Sequence, residues 1–263
     1  MLIAPRKRFS QNFLQDKQII ARLVESINWE VGDQLVEIGP GLGALTAPLL
    51  ARAGHLTAIE LDRDLIPLLQ QAMQGKGQLA LHNADALQFD FSTLTHTPGS
   101  LRIVGNLPYQ ISTPLLFHLL KFITQIKDIH VMLQKEVVER MIASPHTKTY
   151  GRLSVMLQYH FAITRLFDVP ASAFYPVPKV ISAFVRLQPQ SQVSLVQDYG
   201  LFGNIVRQAF NYRRKTLQNS LRDWIDGVTL ERLEISPLAR AEQLSVQDFV
   251  RITNTIYTQR RIY

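Results

Sequence analysis

Through its first two-thirds the chain alternates short β-rich apolar runs with stretches of helical periodicity, and that alternation leaves few folds open. Strands are expected near Gln34–Ile38, Leu56–Glu60, Leu79–His82, Leu101–Gly105 and Ile129–Gln134, with two more near Val155–Phe161 and Ser182–Leu187. Helices are expected at Ile19–Ile27, Leu42–Ala53, Asp64–Gln74 and Pro114–Phe122. Strands interleaved with helices make a parallel sheet with helices on both faces, a Rossmann-like α/β architecture. A long loop rather than a helix separates the last two strands, which lets them pair antiparallel at the sheet edge.

The pattern changes after about Gln188, where PQSQVS is polar and turn-prone. Beyond it only helical periodicity is found, at Tyr199–Phe210, Lys215–Ile225, Leu230–Leu233 and Val246–Thr258, with Ser236-Pro237 and Ser245 as helix-entry signals. Two domains are therefore expected, residues 1–188 and a small all-α domain at 189–263. A chain of 263 residues that is 46% hydrophobic can fill one α/β core and a small second one.

The segment LVEIGPGLGALT places Glu37, Gly39, Gly41 and Gly43 where the first strand turns into a helix. Glycines there let a backbone approach a ligand closely, although a purely structural turn has the same composition. The spacing is E-x-G-x-G-x-G, not the G-x-G-x-x-G of dinucleotide sites. Glu60 ends the second strand in AIELD, where a carboxylate can accept both ribose hydroxyls of a nucleoside, or be an ordinary surface acid. Asp85 follows the third strand in NADAL. It can accept from an adenine amine, with Leu61 and Ala86 flanking the ring, or serve as a helix N-cap. Gly, Glu and Asp thus stand at successive strand ends, on the edge where open α/β sheets bind ligands. No phosphate-binding lysine follows the glycines, which disfavours a nucleoside triphosphate. A nucleoside cofactor without pyrophosphate fits, and S-adenosylmethionine is the candidate.

The fourth strand ends in VGNLPYQIST. Pro108 removes a backbone donor and disfavours helix at Leu107, leaving a turn whose carbonyls are available as acceptors. The amide oxygen of Asn106 adds another. An adenine N6 amine held by Asn106 Oδ1 and the Leu107 carbonyl has its lone pair drawn out of the ring and aimed at a sulfonium methyl. Tyr109 supplies a ring on which an extruded base can stack. An Asn-Pro turn with a core tyrosine is the plain alternative.

Net charge is +7, a balance that favours a polyanionic partner. Basic residues cluster at Arg6, Lys7 and Arg8, at Arg213, Arg214 and Lys215, and at Arg260 and Arg261, each of which can equally be a solvated surface. The chain has no cysteine, so disulfides, thiolate metal sites and cysteine nucleophiles are excluded and no metal site is expected. The N-terminal stretch lacks the apolar core of a secretory signal, and no apolar run reaches membrane-spanning length. A cytoplasmic monomer is expected.

Taken together, KRFSQNFL, VEIGPGLGALT, IELD, NADAL, VGNLPYQIST, YGRLSV, FYPVPKVIS, NYRRKTLQNSL and RAEQLS, in this order, cover nearly the whole length. In them the chain resembles the KsgA/RsmA-type ribosomal RNA adenine dimethyltransferases, a family related to the Erm resistance methylases. The resemblance implies a seven-stranded methyltransferase sheet with a helical C-terminal domain. The implied substrate is a pair of adjacent adenines in the 3′-terminal hairpin loop of 16S ribosomal RNA, within the 30S subunit or its precursor. Each becomes N6,N6-dimethyladenine. By motif match, Asn12, Leu14, Gly39, Glu60, Asp85 and Asn106 contact the cofactor, and Asn106, Leu107 and Tyr109 serve the target base. Phe174, opening FYPVPKVIS, resembles a second stacking aromatic; without the match it reads as a packed loop phenylalanine. Ser10 stands where the family usually has glycine, Ile181 replaces a common aspartate, and Val177 a common proline.

An Erm-like large-subunit methylase shares the catalytic motifs, but NYRRKTLQNSL and RAEQLS favour the small-subunit enzyme. A non-catalytic factor on the same fold has no need to keep Glu60 or Asn106. A protein or DNA adenine methylase finds no specific support in the basic helical domain.

Overall fold

The computed structural model describes residues 12–30, 32–190, 195–212 and 214–262. Its strands, in chain order, are β1 (Phe13–Leu14), β2 (Gln34–Ile38), β3 (His55–Glu60), β4 (Gln78–Asn83), β5 (Leu101–Asn106), β6 (Ile126–Gln134), β7 (Phe161–Val169), β8 (Phe174–Tyr175) and β9 (Ser182–Pro189). Seven form one sheet in the order β4-β3-β2-β5-β6-β9-β7, and β1 pairs with β8 in a separate ladder. From β4 through β6 neighbouring strands are parallel, and β9 is antiparallel to β6.

The sequence explains the sheet's centre. QLVEI and LRIVGN carry apolar residues on both faces, and β2 and β5 are buried along nearly their whole length, as strands covered by helices on both sides must be. The chain leaves β2 toward β3 and β4, then returns to lay β5 on the other side of β2. That reversal opens a crevice beyond the C-terminal ends of β2 and β5. Gly105 keeps the two ends together, because a Cβ there would stand 2.7 Å from the Ile38 carbonyl oxygen. Gly43, at φ +86°, lets the next helix seat on its neighbour; a Cβ would meet Leu69 Cδ1 and Met73 Cε at 2.9 Å.

The described residues divide into two compact units. One takes in the described residues among 1–138 and 163–189, the other those among 139–162 and 190–263. Residues 139–162, placed with the first domain on sequence, therefore pack with the helical unit. The strand expected at Val155–Phe161 is instead a helix, Arg152–Gln158, and the strand follows at Phe161–Val169. Leu153, Ser154, Val155, Met156 and Leu157 are all buried, so this helix has no polar face to betray its period. In the helical unit, the helix expected over Lys215–Ile225 shrinks to Leu217–Ser220. Ser245 does open a helix: its backbone N–H and hydroxyl donate to Asp248 Oδ2, while the Asp248 N–H donates to Ser245 Oγ. Among the described residues no helix is long and apolar enough to cross a membrane.

Candidate active site

A cavity of about 580 Å³ opens at the crevice beyond β2 and β5, within the sheet unit. That is the size of an ordinary small-ligand site. Asn12, Leu14, Gly39, Gly41, Glu60, Leu61, Asp85, Ala86, Asn106, Leu107, Pro108 and Tyr109 all line it. Four separate strand ends and the N-terminal ladder thus converge on it. Leu14 contributes although its side chain packs into the hydrophobic core.

Carboxylates give the cavity its electrostatic character. Glu60 is buried; its Oε2 accepts from the Gly41 N–H at 3.1 Å and its Oε1 from the Asp62 N–H at 2.8 Å. Burial raises its pKa, and those two N–H groups oppose the rise. The carboxylate therefore holds the glycine turn in shape and keeps lone pairs for a ligand. Asn83 Nδ2 donates to the Glu60 carbonyl at 2.8 Å, which fixes the end of β3. Asp85 Oδ1 accepts from the Leu87 N–H at 2.9 Å and Oδ2 from Gln88 Nε2 at 3.3 Å. It caps its own turn while facing the cavity.

Glu37 was visible only as the first letter of the glycine motif. It lines the cavity with 2% of its surface exposed, and its Oε2 is buried without a hydrogen-bond partner among the described residues. Burial, with the nearby Glu60 charge, pushes its carboxyl up to about 7. A buried, unpartnered Glu37 oxygen in a cavity also lined by Glu60 and Asp85 is a poor host for phosphate and a good one for a cation. Phe13 and Leu42 also line the cavity; they lie within KRFSQNFL and VEIGPGLGALT, but nothing in those segments marks an apolar side chain as cavity wall.

At the end of β5, Asn106 Nδ2 donates to the Asn12 carbonyl at 3.0 Å. A carbonyl demands a donor, so this contact fixes which way the amide faces and leaves Oδ1 as a free-standing acceptor. The Pro108 carbonyl accepts from the Ile111 N–H and from Ser112 Oγ, each at 3.1 Å. No protein donor reaches the Leu107 carbonyl among the described residues. The turn thus offers two acceptors, Asn106 Oδ1 and Leu107 O, and spends the third on its own shape. Tyr109 is half-buried there, with its phenol oxygen 2.8 Å from Ser182 Oγ.

Phe174 is not brought to the cavity. In the β1–β8 ladder Leu14 opposes Phe174 and Phe13 opposes Tyr175. Leu14 and Phe174 face the core, where Phe174 is 3% exposed, while Tyr175 is 57% exposed. Stacking on the Phe174 ring requires it to leave that packing.

In the helical unit, Arg214 and Lys215 are exposed. They sit between the end of the Tyr199–Asn211 helix and the start of Leu217–Ser220, and Lys215 Nζ lies 4.5 Å over the Tyr212 ring. Cations just past a helix C-terminus are locally favoured. Their position thus needs no external anion, contrary to what a helix start at Lys215 implies. Arg213, Arg6, Lys7 and Arg8 lie outside the described residues.

The model of the ribosomal RNA adenine dimethylase family matches residues 4–258 of the chain. A small-subunit ribosomal RNA methyltransferase A of Aromatoleum aromaticum is 52% identical, over 95% of this chain and 94% of its own. Its counterpart in Thiobacillus denitrificans is 54% identical, over 97% and 99%. Among solved structures, a dimethyladenosine transferase from Plasmodium falciparum superposes with a TM-score of 0.82 at 25% identity, covering 94% of this chain and 98% of that one. The 23S ribosomal RNA methyltransferase ErmE gives 0.71 at 27% identity, covering 94% and 100%.

Proposed function

The chain belongs to the ribosomal RNA adenine dimethylase family, and from that premise we propose that it dimethylates N6 of two adjacent adenines in the 3′-terminal hairpin loop of 16S ribosomal RNA. The cofactor is S-adenosylmethionine. The protein acts as a cytoplasmic monomer on the 30S subunit or its precursor, with a part in subunit maturation. Relatives named for the small subunit at 52% and 54% identity, against 27% for the large-subunit enzyme, support that choice of subunit.

The cofactor fits the cavity's chemistry. Glu60 would hold its ribose, Asp85 its adenine amine between Leu61 and Ala86, and Glu37 Oε2 would face its positive charge. When bound, S-adenosylmethionine supplies a methyl group on a positively charged sulfur. The chain's own part is to place the acceptor. In the first transfer Asn106 Oδ1 and the Leu107 carbonyl accept the two N6 hydrogens, which turns the nitrogen lone pair away from the ring; in the second, the one hydrogen left on N6 is held by one of these two acceptors. The same dipoles stabilise positive charge as it develops on N6. No carboxylate is needed as a strong base, because the amine sheds its proton once it carries the methyl. Tyr109 offers the stacking face for the extruded base. The fixed orientation of the Asn106 amide against the Asn12 carbonyl carries this reading.

Glu60→Gln tests the cofactor assignment. A neutral amide accepts less strongly, and its NH2 end would also confront the Gly41 or Asp62 N–H. Cofactor affinity should fall by about 1–3 kcal/mol with the fold retained. Titration calorimetry on the purified variant measures it, and unchanged affinity removes Glu60 from the site.

We assign RNA docking to the basic cluster at Arg213, Arg214 and Lys215, with Arg6, Lys7 and Arg8 as a second contributor. Phosphate contacts position a substrate without reading bases. Replacing Arg213, Arg214 and Lys215 together by alanine should weaken RNA binding. It should also reduce the slope of log affinity against log salt by roughly 0.7–0.9 for each phosphate that is no longer neutralised. Cofactor affinity should not move. A variant with the parent's binding across a salt series would make the cluster a solvated surface.

A further inference from the structure

The Tyr109 ring belongs to a turn whose backbone is pinned through the Pro108 carbonyl, but that pinning leaves the side-chain torsions unset. Its outer end is held from elsewhere. Ser182 Oγ, 73 positions along the chain, lies 2.8 Å from the phenol oxygen. Ser182 is fully buried and opens β9, an interior strand of the sheet. Its register against Gln134 and the bond from the Lys135 N–H to the Ile181 carbonyl, 3.0 Å, fix the backbone that delivers its hydroxyl. The phenol oxygen lies on the Cβ–Cγ axis, so this bond fixes the first side-chain torsion, and with it where the ring sits, from the sheet rather than from the turn.

We propose that Ser182 is a positioning residue for methyl transfer: its hydroxyl holds the Tyr109 ring at the place where the target adenine stacks. This rests on Tyr109 being the base platform. A base resting on a ring that swings cannot keep its N6 on Asn106 Oδ1 and the Leu107 carbonyl, and small misplacements of a nucleophile are costly in rate. Satisfying a half-buried phenol is the purely structural role for the same bond, and it predicts a stability loss with normal turnover by the folded protein.

The test is single-turnover methyl transfer at saturating RNA and cofactor, with cofactor affinity measured in parallel. Ser182→Ala and Tyr109→Phe each cut the bond from one end. Each should slow the step about tenfold, leave cofactor affinity unchanged, and slow it no further when combined. Ser182→Thr, which keeps the hydroxyl, should recover most of the rate. If Ser182→Ala does not fold, Tyr109→Phe carries the test from the other end. Parent-like rates in the folded variants, or rate reductions that multiply in the double variant, overturn the proposal. Tyr109→Ala separates the premise: a parent-like rate there would mean that Tyr109 is not the platform.

Discussion

Asn106→Ala should slow methyl transfer by roughly 100-fold or more while leaving RNA affinity nearly intact. The amide has two different jobs. Its NH2 end is committed to the Asn12 carbonyl, and that commitment presents Oδ1 to the cavity. On the proposed mechanism, alanine removes a preorganised acceptor for the nucleophile, an interaction worth most when charge develops on N6. On the proposed docking, phosphate contacts over a larger surface hold the RNA, so its binding should hardly register the change. Single-turnover rates at saturating RNA, with cofactor affinity checked separately because alanine also removes the Asn12 tether, measure the effect. A variant with normal rate and poor RNA affinity would move Asn106 from chemistry to docking.

Arg102→Leu should cost about 3–5 kcal/mol of stability, the usual penalty for orphaning buried charges. Arg102 is 4% exposed at the far end of β5 from the cavity. Its Nε donates to Asp128 Oδ1 at 2.9 Å and its Nη2 to Asp128 Oδ2, while Nη1 reaches Asp33 Oδ2 at 3.1 Å. Nη1 and Nη2 also donate to the Asn28 and Ile27 carbonyls, each at 2.7 Å, where the Lys17–Ile27 helix ends. Leucine fills the space and satisfies none of these acceptors. Lys127 continues to hold Asp33 Oδ1, but Asp128 loses its bidentate partner. Denaturant midpoints measure the loss. The acid limb should change too. Burial pushes the Asp128 carboxyl up, but the His130 ring and Arg102 outweigh it and bring it down to about 2. A folded-state value below the unfolded one contributes stability that is complete above about pH 4 and fades as pH falls toward 2. In the leucine variant that fading should be shallower. An unchanged midpoint and acid limb would mean that the ion cluster contributes little.

The cavity was legible because its chemistry sits at strand ends, and strand ends are where a sequence shows a change of composition. Glycines after β2, Glu60 closing β3, Asp85 after β4 and Asn106 closing β5 need only the strand positions to be brought together. What stayed hidden depends on faces and partners. A two-residue strand has no period to read, so nothing in FY says that Phe174 turns to the core and Tyr175 to solvent. A helix buried on every side, as at Arg152–Gln158, reads as readily as a strand. The Tyr109–Ser182 bond joins residues whose proximity follows from β9 entering beside β6, a matter of sheet order. The basic cluster changed its electrostatic meaning once the preceding helix was seen to end just before it.

The direct measurement of the reaction and its target incubates the purified protein with methyl-labelled S-adenosylmethionine and unmethylated small subunits, followed by mass spectrometry of the digested 16S RNA. Two adjacent N6,N6-dimethyladenines in the 3′-terminal hairpin loop are predicted, and large-subunit RNA in a parallel reaction should stay unlabelled. Label on 23S RNA instead, or none on the small subunit while the Asn106 and Glu60 variants behave like the parent, would contradict the account.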